Sequence, residues 1–131
     1  MFEERPSGSR DAARQLLRES AMAVAFQGET RTQVPAKVFE YVAFPVWLLA
    51  LVGAESATAD LLAESDAIVL DIDDEAGTER EVARCVERFR AGDLARPVGW
   101  DGRFSRARQA ERLIAELQQL ESRSMRRVTN G

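Results

Sequence analysis

Residues 66–82, DAIVLDIDDEAGTEREV, end an apolar run on a knot of acid: Ala67 to Leu70 lead into Asp71, Asp73, Asp74 and Glu75. Carboxylates carried to the C-terminal edge of a buried strand stand where open α/β sheets do their chemistry. The chemistry open to such a knot is phosphoryl transfer, in which one carboxylate attacks in line while a cation neutralises the equatorial oxygens. Asp71, nearest the strand, is the candidate nucleophile. Asp73 and Asp74, together with Glu29 further up the chain, are the candidate metal ligands, and Mg²⁺ is the cation that oxygen ligands of this kind hold. A simpler reading competes with this one. The acids end a strand, solvate a loop and cap a helix opening near Thr78, with no chemistry at all. That reading needs no further assumption and is the one expected here.

Composition removes most other catalysts. The chain has no histidine and one cysteine, Cys85, which argues against a zinc site and against Ser/His or Cys/His nucleophilic catalysis. A lone cysteine forms no intramolecular disulfide and fits a reducing cytoplasm. Cys85 lies between Val82 and Val86 and is expected as a small core residue. A single-glycine loop, GAES at 53–56, falls short of a dinucleotide or P-loop fingerprint. Lys37 is the only lysine among 18 basic residues, a bias that suggests a GC-rich bacterial or phage genome. Net charge is −4, and the acids crowd residues 55–93 while arginines dominate 103–131. A mildly acidic body with a basic tail does not read as a nucleic-acid binder.

The elements that must position these residues follow from apolar spacing. At 131 residues with 45% hydrophobic and 31% charged side chains, the chain is expected to fold as a single domain. Residues 1–9 read as a flexible lead-in, 10–124 as one α/β domain and 125–131 as a frayed tail. The opening MFEERPSGSRD has no basic stretch ahead of an apolar one, so no secretory signal is expected. The longest apolar run, VAFPVWLLALVGA, carries Pro45 and is short for a bilayer. Strands are expected at AMAVAF (21–26), VWLLALV (46–52) and AIVLDI (67–72), and RPVGW as a short strand or turn. Helices are expected at RDAARQLLRES, TQVPAKVFEYVAF, AESATADLLAES and TEREVARCVERFRAG, and from Ser105 to about Ser124. In the fourth of these Val82, Val86 and Phe89 form the expected core stripe, and Gly92 closes the helix. Alternating buried-type strands and helices predict a small parallel sheet with helices on both faces.

Over about residues 21–92, and weakly over 102–120, this order resembles a response-regulator receiver domain, of flavodoxin/CheY-like fold. AMAVAFQGE sits at the first strand and its acidic turn, and DAIVLDID at the third strand, whose end in that family is the phospho-acceptor aspartate. The resemblance implies that role for Asp71. It also implies two metal-holding acids where this chain has Gln27 and Gly28, and a strand-five lysine whose place falls near Gly102 or Arg103. One βα unit is missing, so the fold is expected to be incomplete. A receiver without its acid pair lacks the usual trigger. The expected function is therefore that of a non-catalytic, phosphorylation-independent, receiver-like adaptor or inhibitor acting on another protein in the cytoplasm. Its expected form is a homodimer, without membrane, nucleic acid or cofactor. The expected binding residues are Trp100, Arg103, Leu117, Leu120 and Met125. Two alternatives stand beside it: a phospho-accepting receiver using Asp71 with Mg²⁺, and a structural or assembly subunit of a phage or bacterial complex.

Overall fold

The computed structural model describes residues 8–28 and 30–129. The elements run α1 (Arg10–Glu19), β1 (Met22–Gln27), α2 (Ala36–Tyr41), β2 (Trp47–Val52), α3 (Ala57–Leu62), β3 (Ile68–Asp71), α4 (Glu75–Arg90) and α5 (Arg106–Thr129). The chain divides into two compact units, one ending at Val98 and the other starting at Gly99. Contacts within residues 10–98 come from the sheet and its crossovers, whereas residues 99–129 are turns and one helix.

In the first unit three parallel strands form one sheet in the order β1-β2-β3. The expected α/β class, the small parallel sheet and the long C-terminal helix are all present. β2 is central because it alone is apolar at every position, and residues 48–52 are all buried. Pro45 and Gly53 bound it, so the run cannot extend as strand or helix in either direction. Side chains alternate across the sheet. The register pairs Ala23, Ala25 and Gln27 with Leu48, Ala50 and Val52 on one face, and Met22, Val24 and Phe26 with Trp47, Leu49 and Leu51 on the other. α3 covers the first face, where the Thr58 hydroxyl donates to Gln27 Oε1. α4 lies on the second, where Val82, Cys85, Val86 and Phe89 share a groove with Met22 and Trp47. Helices thus lie on both faces.

Strand order refines the expected architecture. A receiver sheet runs 2-1-3, with its first strand in the middle. Here the first strand is at the edge. Two βα crossovers that step in the same direction give a βαβαβ unit, equivalent to one half of the 3-2-1-4-5-6 doubly wound sheet.

The caps explain where the helices start. Ser9 Oγ accepts the Ala12 N–H at 3.2 Å and Ser56 Oγ accepts that of Ala59 at 3.1 Å. α4 opens at Glu75, earlier than Thr78, because the Asp74 carboxylate accepts the Gly77 N–H at 2.9 Å. It ends at Arg90, and just beyond it Gly92, with a φ of 80°, turns the chain while its N–H reaches the Phe89 carbonyl. Residues 93–98 contain no strand and are tied back by Arg88–Asp93 at 2.6 Å and Arg96–Asp66 at 2.8 Å. In the second unit residues 99–105 form turns, and α5 runs on to Thr129. α5 thus extends past its expected end near Ser124, since no Gly or Pro interrupts the helix before Thr129.

Candidate functional site

The carboxyl ends of the three strands gather the residues expected to do chemistry. A cavity of about 380 Å³ opens there, lined by Arg31, Ala54, Glu55, Ser56 and Asp71. A polar network orders the end of β1: Gln27, fixed by Thr58, donates through Nε2 to Thr30 Oγ1 and to the Gln33 carbonyl. This network folds the β1–α2 loop back over the strand end. Arg31 and Glu55 close across the mouth at 2.7 Å, both well exposed.

The acids in this region serve the backbone. Asp71 Oδ1 accepts the Asp73 N–H at 3.0 Å, and its carbonyl accepts that of Asp74. Asp74 is spent as the cap of α4. A Cβ added at Gly77 would meet the Asp74 carboxylate at 2.1 Å, so the glycine leaves room for that cap. Asp73 is exposed and Glu29 lies outside the described residues. Among the described residues no three His, Cys, Asp or Glu side chains stand together as ion ligands. What the arrangement does chemically is shape a strand-to-helix turn with carboxylates, in the manner of Asx turns and N-caps.

The expected binding residues belong to the second unit, and the structure divides them. Arg103 grips Asp101 with its backbone N–H, Nε and Nη2, the last at 2.8 Å. Those hydrogen bonds hold the Asp101 carboxyl below its ordinary value of 3.8. Arg103 thereby shapes the turn. Trp100 is exposed, and Leu117 and Leu120 share one exposed stripe of α5. Met125 is also exposed but lies about 80° round the helix from Leu117, at the margin of that stripe.

Sequence reasoning missed an exposed apolar surface of the first unit. Val82, Val86 and Phe89, expected as core, are exposed; only Cys85 of that face is buried, and burial pushes its thiol pKa up. They border an apolar groove of about 270 Å³ together with Ala21, Met22 and Trp47. Beside it, Val24 is 37% and Phe26 68% exposed on the uncovered face of β1. The reason is geometric. α4 follows β3 and reaches β2, leaving the outer face of the edge strand β1 bare. The signal that would have found it is the alternation in MAVAFQ, small residues on one face and large apolar ones on the other.

The edge of β1 is open as well. The Trp47 N–H donates to the Ala21 carbonyl. N–H and C=O of one strand residue leave on the same side, so Ala23 and Ala25 also face β2 while Met22, Val24 and Phe26 turn their N–H groups outward. β1 carries no charge and no proline, the usual guards of a free edge. No family model, no curated protein and no solved structure matches the chain.

Proposed function

We propose that this chain is a non-catalytic protein-protein interaction module that docks through the open side of β1. One observation carries the reading. The first strand of a βαβαβ unit is unguarded along its outer edge and keeps Val24 and Phe26 in solvent. In a doubly wound sheet the first strand of each half lies at the centre, paired with the other half. The partner we infer is therefore another α/β unit, which supplies a strand along β1 and an apolar helix against Met22, Trp47, Val86 and Phe89. Main-chain hydrogen bonds would give the affinity and the groove the selectivity. A regulatory adaptor or inhibitor in the cytoplasm, independent of phosphorylation, fits this surface. No helix among the described residues is long and apolar enough to cross a membrane.

The test is a photo-crosslinking amino acid at position 26, expressed in the native host. The reading predicts one defined adduct, crosslinked within a strand of an α/β domain, and none from position 80 on the outer side of α4. Absence of an adduct from position 26, or equal labelling from both positions, contradicts it.

The same strand order favours a second reading, because doubly wound sheets bind ligands outside the carboxyl ends of their strands. A ligand there would meet Arg31, Glu55, Ser56 and Asp71. Its phospho-acceptor form is tested by titrating Mg²⁺, with and without beryllofluoride, and following amide NMR. Shifts centred on Asp71 and Asp73 support it. A flat response at millimolar Mg²⁺ retires it.

A further inference from the structure

The 24-residue helix α5 carries a bare apolar surface of its own. Leu113, Ile114, Leu117 and Leu120 are each between 53% and 59% exposed. Ala110, Leu113, Leu117, Leu120 and Ser124 recur at alternating spacings of three and four, the seam of a two-helix coiled coil. Glu116 and Arg123 flank one side of the seam, and Ile114 and Glu121 the other. We propose that α5 pairs with α5 of a second copy in antiparallel orientation, Leu117 of each copy against Leu120 of the other.

Charge selects the partner and the direction. A parallel pair sets Glu116 of each helix beside Glu121 of the other, two like-charge contacts. An antiparallel pair centred between Leu117 and Leu120 sets Glu116 beside Arg123 of the second copy, twice. Within one helix Glu116 meets Arg112 at 3.5 Å, an exposed pair free to reorient. The helix is thus complementary to itself in one direction only, as a two-fold symmetric interface requires. This inference is independent of the docking proposed for β1.

The experiment is sedimentation equilibrium on the full chain, up to on the order of 200 µM. A monomer–dimer equilibrium is expected, weakened at least about tenfold by Leu117→Glu or Leu120→Glu. These side chains are exposed, and far-UV circular dichroism verifies that the variants remain helical. Glu116→Arg is expected to weaken the dimer, and adding Arg123→Glu to restore it. Phe26→Thr is expected to leave association unchanged. A monomeric wild-type chain, or a dimer indifferent to both leucine variants, overturns the proposal. Strengthening by Glu116→Arg overturns the antiparallel direction, since only a parallel pair gains from it. Loss of the dimer in Phe26→Thr moves self-association to β1 and overturns the assignment to α5.

Discussion

Replacing Phe26 by threonine separates a docking face from a core, because Thr keeps the β propensity of an edge strand while removing the ring. Full burial of a phenylalanine side chain stabilises by about 1.5–3 kcal/mol. Phe26 is 68% exposed, so only about a third of that burial is at stake, ~0.5–1 kcal/mol. Leu48, on the opposite face and 0% exposed, is the internal standard. Leu48→Ala removes its transfer term and leaves a cavity under α3, a loss of about 2–5 kcal/mol. In a unit of this size 1 kcal/mol moves the midpoint by about 4–8 °C. Thermal unfolding followed by circular dichroism should therefore show a drop of a few degrees for Phe26→Thr, against a drop of more than about 10 °C, or no folded protein, for Leu48→Ala. Comparable losses in the two variants would mean that Phe26 is core, and the reading of β1 as a docking face would be refuted.

Asp74→Ala should cost about 1 kcal/mol of stability and Asp74→Asn almost nothing, since asparagine caps a helix as well as aspartate does; chemical denaturation measures both. Were Asp74 needed for its charge, the two variants would behave alike. Asp101 titrates below 3.8 because Arg103 holds its charged form. A depressed carboxyl stabilises above its unfolded value and loses that contribution as pH falls through the folded one. The Arg103 amide and Nε resonances should accordingly stay fixed from neutrality to about pH 4 and move only below it. The Cys85 thiol, raised from 9.0 by burial, is protonated at neutral pH and should resist alkylation in the native chain. Its contribution to stability is present below pH 9.0 and falls as pH rises beyond it, so alkylation should follow global unfolding. Rapid native labelling would place Cys85 at the surface.

What the sequence revealed is what local chemistry encodes. Pro45 and Gly53 bracket β2, Gly92 stops α4, and the uninterrupted apolar run of β2 marks it as buried on both faces. Strand order is not local, because two crossovers of the same lengths serve either order. The stripe Val82, Val86 and Phe89 shows the opposite limit. Periodicity at 3.6 residues reports that a helix has an apolar face; whether a partner for that face lies in the same unit depends on strand order. The acid knot was legible as a strand end and as a helix cap, yet the residue that caps was not. Asp74 caps α4 four residues ahead of Thr78, a distinction set by Gly77 making room for the carboxylate. The end of α5 is hard to read because a polar, arginine-rich stretch resembles a tail, although nothing in it breaks a helix before Thr129.

The most direct measurement of the central claim is amide hydrogen exchange by NMR along β1, in the isolated chain and in the complex trapped through position 26. The account predicts fast exchange at Val24 and Phe26 in the isolated chain, slow exchange at Ala23 and Ala25, and protection of the amides at positions 24 and 26 once the partner strand is in place. Slow exchange at Val24 and Phe26 in the isolated chain, or none gained in the complex, would contradict a strand docked on that edge.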